Sequence, residues 1–362
     1  MHPSSALVAA AMVTGALTAA ACGAGDATGP DMDDAGTPLE HHRAEPLVVM
    51  TRNIYVGADV DAVIAALATP DPSDDLPTLG AALATLERTD FPVRAAAIAA
   101  ESARARPHVV ALQEVSRVAV DLAPLGLPVR YDADFLPVLL QELTVRGLDY
   151  VAAGSVENIV AQPLPGVELR DYDVVLVDAD RVAVDRAHGR AFAHNIGVVA
   201  PGVEIKRGYV LVEARIGGDA VTFVGTHLES GPGAQLAALR GVQAQELVLA
   251  LAQASRAVLL GDLNDLSGSP MHQVLSGAAL IDAWAAMRPG AAGLTCCHAY
   301  DLGRAQQFSE RIDYVLARGF GLEAPGSGGR AAIIGERPSD RVSGATGPIW
   351  PSDHAGLAVS LP

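Results

Sequence analysis

Residues 257–265 read Ala-Val-Leu-Leu-Gly-Asp-Leu-Asn-Asp, and this stretch limits the fold more than any other. Ala257 to Leu260 form an apolar run with the length and composition of a fully buried strand. Gly261 ends the run, and Asp262 and Asn264 follow at its carboxyl end. Open α/β sheets gather ligand groups at that end of their strands, in the crevice beyond the sheet. A two-residue step can turn both side chains to one side, offering a carboxylate and an amide to the same space. Such a pair could orient a water and hold a phosphoryl oxygen. An Asx turn leaving the strand is the plainer account of the same residues.

The rest of the chain supplies the setting. Leu47 to Asn53 and Val109 to Glu114 are apolar strands that also end in polar groups. Between them, Val60, Val63, Ile64 and Leu67 mark a short helix within 59–68, and 78–88 predicts another. Asp90 is the expected N-cap of a helix from Pro92 to Arg106, which Pro107 stops. Strand, helix, strand is the unit of an α/β protein. Residues 116–133 and 158–169 are expected to be loops, 135–146 a helix and 150–153 a strand. Residues 173–177 and 181–185 are expected to pair. Tyr209 to Ile216 and Ala220 to His227 alternate around Gly217 and Gly218, a strong hairpin signal. Ala234 to Ala254 is the longest helical pattern, a short helix is expected near Met271, and 311–317 and 356–361 complete the strands. With no internal repeat or linker, 46–362 is expected to be one domain.

The first 45 residues are of another kind. Ala6 to Ala21 is an apolar, Ala-rich run ending at Cys22, with the length of a signal-peptide core and too short for a comfortable membrane span. Ala19 to Ala21, Cys22 and Gly23 resemble a bacterial lipobox, although Leu17 lies further from the cysteine than that pattern prefers. Lipidation of Cys22 would tether the protein to a membrane; a plain secretory signal is the alternative. Residues 23–45 hold six acids and one arginine among Gly and Pro, and read as a flexible acidic tether. The chain is thus expected to be exported, as a lipoprotein or as a periplasmic or secreted protein. A formal charge of −17, with 25 Lys and Arg against 42 Asp and Glu, argues against stable nucleic-acid binding, which depends on neutralising phosphates. A monomer is expected.

Set side by side, the polar strand ends are Asn53, Glu114, His227, Asp262, Asn264, Asp313, Asp353 and His354. Each alone has a mundane reading, Glu114 as a helix cap or His227 as a core histidine. Together, carboxylates and an amide suit a hard cation such as Mg²⁺, with Mn²⁺ or Ca²⁺ as substitutes, and two histidines add proton donors or acceptors. These are the parts of metal-assisted phosphoryl hydrolysis. Thr51-Arg-Asn53, Leu112-Gln-Glu114, Thr226-His-Leu228, Gly261-Asp-Leu-Asn264, Arg311-Ile-Asp313 and Ser352-Asp-His354 occur in one order across residues 47–361. In that order they resemble the motifs of the endonuclease/exonuclease/phosphatase superfamily, which includes deoxyribonucleases and bacterial sphingomyelinases. The resemblance implies an α/β (α+β) four-layer sandwich: two packed mixed β-sheets flanked by helices. It implies Glu114 as principal metal ligand with Asn53 and Asp353 beside it, Asp262 preparing the water and Asn264 holding the phosphate. It further implies His354 on a phosphoryl oxygen with Asp313 as its partner, and His227 acting from the other side. A nearby Asp313 carboxylate would raise the pKa of His354. Arg207 resembles a substrate-facing arginine of the family, with a surface arginine at a strand start as the alternative.

The resemblance leaves three matters open. The family's deoxyribonuclease branch gives its first histidine a glutamate partner, for which Glu157 is the nearest candidate. The long segment from Tyr55 to Asp90 follows the first strand and is expected to reshape the substrate mouth. Cys296 and Cys297 are adjacent and have no family role; zinc needs more ligands than this pair and His298 provide. The expected activity is a metal-dependent phosphodiesterase or phosphatase, with a sphingomyelinase-like or small phosphoester substrate favoured. An extracellular endonuclease and a catalytically silent binding domain on the same fold are the alternatives.

Overall fold

Alternation along the strands decides the layers. In a computed structural model that describes residues 45–362 apart from 70, 72, 305–307 and 324–327, Val49, Val109, Ala111, Val175 and Val177 point from one sheet into a central core. Val210, Val212, Phe223, Val258, Leu260 and Val315 meet them from a second sheet. The intervening residues Met50, Val110, Leu112, Val174 and Leu176 face outward onto Phe91, Ile98, Phe135 and Leu139 of two helices, Phe91–Ala105 and Phe135–Val145. On the far side, Leu211, Val224, Leu259 and Leu316 pack on Leu247, Met271 and Leu275 of helices Ala234–Ala250 and Pro270–Gly277. Helix, sheet, sheet, helix is the expected four-layer sandwich. Strands 258–260 and 174–177 are buried on both faces, which is why they read as unbroken apolar runs.

The first sheet has nine strands in the order Arg330–Ile334, Gly356–Leu361, Leu47–Asn53, Val109–Asp121, Val167–Asp178, Tyr150–Ala161, Val203–Ile205 and Gly197–Ala200, with Arg130–Asp134 also on Val109–Asp121. The second has six: Ile281–Asp282, Asp313–Arg318, Ala257–Asp262, Asp219–His227, Gly208–Ile216 and Ala183–Ala191. Both are mixed, with one parallel pair each, Leu47–Asn53 on Val109–Asp121 and Asp219–His227 on Ala257–Asp262. The expected hairpin turns at Gly217 and Gly218, both at positive φ, 58° and 94°. The sheets approach so closely at Gly225 that a β-carbon there would lie 2.5 Å from Val175. Residues 44–362 form one compact unit. Among the described residues no helix is long and apolar enough to cross a membrane. The apolar run, Cys22 and nearly all of the 23–45 tether lie outside the described residues.

Several expected loops are strands. The second strand does not stop at Glu114 but runs to Asp121 across a bulge between Leu112 and Val115. Beyond the bulge Val118 and Val120 pack under Leu79, Leu83 and Leu86 of the helix Asp75–Thr89, and Arg130–Asp134 pairs back on the strand. Tyr150 to Ala161 and Val167 to Asp178 are likewise long strands, and only 162–166 remains a turn. Two bulges between them break the alternation on which a reading of the sequence depends. Residues 173–177 and 181–185 do not pair. Val167–Asp178 belongs to the first sheet, whereas Ala183–Ala191 crosses to the second and pairs with Gly208–Ile216. Asp90 joins two helices with a left-handed backbone, φ 38°, and makes no side-chain cap; its carbonyl accepts from Val93 and Arg94 instead.

Candidate active site

Strand register brings the polar ends together. His227 lies beside Asp262 in the parallel pair, and Asp262 lies opposite Asp313 in the antiparallel one. His227 also lies opposite Gly208, which brings Arg207 alongside. From the first sheet, Asn53 ends the strand next to Val109–Asp121, and the bulge turns Glu114, at φ 58°, away from the ladder. Bulges commonly re-aim one side chain in this way. Asp353 and His354 come just before Gly356–Leu361, the antiparallel neighbour of the first strand. All of the expected site residues thus meet at one edge of both sheets. Glu114, Arg207, His227, Asp262, Asn264, Asp353 and His354 line a cleft of about 250 Å³.

Asp262 is the centre of the arrangement. One carboxylate oxygen accepts from the Asn264 backbone N–H at 2.9 Å. The other lies 3.3 Å from Asn53 Nδ2, 3.5 Å from His227 Nε2 and 3.7 Å from His354 Nδ1. The Asx turn is therefore present, and it leaves the second carboxylate oxygen among the nitrogens of Asn53, His227 and His354. Asn264, at φ 51°, also donates from its side chain to the Leu228 carbonyl at 3.0 Å. Burial pushes the Asp262 carboxyl up to about 7, opposed by the nearby His354 and reinforced by Asp313. A carboxyl of that strength can take a proton near neutral pH.

The two histidines are in opposite states. His354 Nδ1 lies 2.9 Å from Asp313, whose side chain is wholly buried. Burial alone would lower its pKa, but Asp313, Asp262 and Asp353 together hold it well above the ordinary value, in the direction the sequence implied. These carboxylates favour the imidazolium form of His354. His227 is driven well below the ordinary value, by burial first and then by Arg207 and His354. Arg207 Nη1 lies 3.1 Å from His227 Nδ1, and guanidinium can only donate, so the His227 proton sits on Nε2 and faces Asp262. Arg207 is only 6% exposed and is no surface arginine; Glu229 Oε1 lies 3.5 Å from its Nε.

Asn53 meets the acidic groups through nitrogen. Its Nδ2 donates to Glu114 at 2.9 Å, and its carbonyl oxygen accepts from the Tyr55 N–H at 2.9 Å. Glu114 takes a second bond from the Val56 N–H, 2.9 Å. Burial, with Glu114 nearby, lifts Asp353 to about 6 despite His354. Glu114 and Asp353, two carboxylates on one cleft wall, suit a divalent cation, which would relieve the repulsion that Asp353 feels from Glu114. Asp262, Asp313 and His354 are also close enough for a shared ion, within 4.8 Å. Within that set Asp313 and His354 already meet each other at 2.9 Å.

Three carboxylates were not singled out from the sequence. Asp171 lines the cleft and accepts from Ser116 at 2.6 Å; burial, with Glu114 nearby, pushes it up to about 7. Asp173 lies 4.0 Å from His227 Nδ1, and Glu229 holds Arg207. Asp171 and Asp173 precede the apolar run 174–177, and in an antiparallel strand that end shares an edge with the carboxyl ends of parallel ones. Glu157 is not beside His227; it pairs with Arg170 at 2.9 Å and accepts from Tyr172. The segment after the first strand does form part of the cleft wall, through Val56, Ala58, Asp59, Val60 and Asp61.

Comparison with known proteins agrees with this fold. The pattern of the Endonuclease/Exonuclease/phosphatase family matches residues 85–354. A family protein of known structure from Bacteroides thetaiotaomicron is similar in fold, with a TM-score of 0.56 and 15% identity over 88% of this chain and 98% of that one. One from Leptotrichia buccalis has a TM-score of 0.54 and 15% identity, covering 87% and 99% of the two chains. Humanized D. rerio TDP2 has a TM-score of 0.51 and 15% identity, covering 87% and 98%. No protein of curated function matches the sequence.

Proposed function

The chain belongs to the endonuclease/exonuclease/phosphatase family, a family of phosphoester hydrolases, and on that footing we propose that it hydrolyses a small or lipid-linked phosphoester with the help of Mg²⁺. The observation that carries the reading is Asp262. Its Oδ2 has three side-chain nitrogens at 3.3–3.7 Å, long contacts that leave it able to accept a proton from water. In the proposed reaction Asp262 takes a proton from water as that water attacks phosphorus. Asn264 and His227 Nε2–H hold phosphoryl oxygens. His354, kept cationic and oriented by Asp313, donates from Nε2 to the oxygen on which charge builds. Arg207 fixes the His227 tautomer. Glu114 and Asp353 would hold the cation, with Asn53 orienting Glu114; when bound it would neutralise phosphate charge and polarise the phosphorus.

The cleft itself favours a small phosphoester over a long polyanion. Among the described residues its wall carries Asp59, Asp61, Glu114, Asp171 and Asp353, with Arg207 as the one arginine. A nucleic-acid track needs the reverse balance. The test is hydrolysis of bis-p-nitrophenyl phosphate, p-nitrophenyl phosphate, sphingomyelin and plasmid DNA by protein stripped with EDTA and reloaded with Mg²⁺, Mn²⁺ or Ca²⁺. Turnover that needs the added cation and prefers a small or lipid phosphoester supports the proposal. No turnover of any substrate would leave a silent binding domain. The proposal extends to location: export through residues 1–22 and a lipid anchor on Cys22. Cys22→Ser should release the protein from membranes or block its maturation, whereas soluble wild type would favour a plain signal peptide.

A further inference from the structure

Cys296 and Cys297, for which the hydrolytic mechanism has no use, lie against its central histidine. They are joined as a disulfide. Cys297 Sγ is 3.9 Å from His354 Nε2, the nitrogen opposite the one that meets Asp313. Both sulfurs and a ring nitrogen of His354 fall within 4.8 Å of one another. Backbone bonds hold this approach on both sides. Ala355 N donates to the Thr295 carbonyl at 2.8 Å and His298 N to the Asp353 carbonyl at 2.7 Å. Across the segment, the Cys296 carbonyl accepts from Ser309 at 2.7 Å and Glu310 at 3.1 Å. The pair is therefore clamped between two chain segments rather than carried on a free loop. His298 is turned to Trp350 and Phe308, with ring centroids 4.1 and 4.3 Å away, and the histidine beside the sulfurs is His354.

We propose that Cys296, Cys297 and His354 Nε2 form, once the disulfide is reduced, a binding site for a soft divalent cation of the Zn²⁺ class, and that its occupancy switches off hydrolysis. Two thiolates and an imidazole are a soft donor set, selective for Zn²⁺ or Cd²⁺ over Mg²⁺. Three protein ligands and one water complete a tetrahedral site. Reduction by a phosphine is balanced: the phosphine gives two electrons and takes an oxygen from water, and the two sulfurs receive the two protons. Cation binding then releases to solvent those two protons and the one on His354 Nε2, since the ligands are thiolate and neutral imidazole. A cation on Nε2 removes the hydrogen that His354 would donate to phosphate. In the disulfide form neither sulfur can supply a thiolate, so the hydrolase should be insensitive.

The inhibitory half rests on the role given to His354 above; the binding half does not. The full-length protein is therefore tested with two readouts. Oxidised wild type, wild type reduced with a phosphine and desalted without oxygen, and reduced Cys297→Ser are each titrated with Cd²⁺ in excess Mg²⁺. The ultraviolet thiolate-to-cadmium absorption reads binding, and bis-p-nitrophenyl phosphate hydrolysis reads activity. Reduced wild type should bind about one Cd²⁺ per chain at this site and lose activity by roughly 100-fold, the lower end of what a positioned proton donor contributes. Oxidised wild type and Cys297→Ser should show neither effect, and the unchanged Cys22 cancels from the comparison. His354→Ala should weaken Cd²⁺ binding by about 10-fold or more, whatever its activity. Absence of the absorption in reduced wild type, or equal cadmium sensitivity in its oxidised form, would overturn the site. Binding without loss of activity would overturn the switch. Absence of hydrolysis before cadmium is added would count against the hydrolase reading, while the absorption still decides the site.

Discussion

Replacing Asp313 tests whether the buried pair behind the reaction works as one unit. Its Oδ2 lies 2.9 Å from His354 Nδ1 with no solvent between, and the backbone of Asp313 is fixed by its register opposite Asp262. Asp313 is not among the described residues that line the cleft, so it acts through its neighbours, by its bond to His354 and by its charge beside Asp262. Loss of a positioned proton donor costs ~10²–10⁴ in rate, so His354→Ala should lower kcat by that amount, or about 3–5 kcal/mol. Loss of the group that orients such a donor typically costs about 10–100-fold, and Asp313→Ala should fall in that range. Asp313→Asn keeps an oxygen that can accept from Nδ1 but removes the charge, so the gap between the two variants measures orientation against charge. The assay is steady-state hydrolysis of bis-p-nitrophenyl phosphate at saturating Mg²⁺, with kcat and KM separated. If the two residues form one unit, Asp313→Ala/His354→Ala should be scarcely slower than His354→Ala alone. A double variant whose loss is the product of the two single losses would refute the reasoning.

Two further outcomes follow from the geometry. Glu114→Gln keeps the shape of the side chain but removes a charge from the proposed cation site, so it should raise the Mg²⁺ concentration for half-maximal rate or abolish turnover. An unchanged Mg²⁺ titration would remove Glu114 from the site. Gly225→Ala would push a methyl to 2.5 Å from Val175 and 3.2 Å from Ala111 between the sheets; overpacking of this kind costs about 1–3 kcal/mol, read as a lower urea midpoint, and unchanged stability would mean that the sheets are free to separate there.

The sequence carried the site better than it carried the strands. Asp262, His227 and Asn53 end apolar runs, and that position is informative because the carboxyl ends of neighbouring parallel strands share an edge. Asp171 and Asp173 begin an antiparallel strand, and strand direction is set by tertiary pairing that no local pattern encodes. Glu114 was legible as a polar strand end, but the bulge that aims it was not, because Val115 to Asp121 resumes alternation one step out of phase. The same loss of phase hid the long strands on either side of 162–166. The hairpin at Gly217 and Gly218 was legible because its turn chemistry is local. The neighbourhood of Cys297 and His354 spans 57 residues of sequence and exists only once the strand Gly356–Leu361 has docked on Leu47–Asn53.

The central claim is that Asp262 prepares water for attack on a phosphoester. Asp262→Asn keeps size and can still accept from the Asn264 N–H, but it cannot take the proton. The measurement is kcat and KM of this variant on a substrate that the wild type hydrolyses, at saturating Mg²⁺. The account predicts a fall in kcat of ~10²–10⁴ with little change in KM. Turnover near that of the wild type would contradict it.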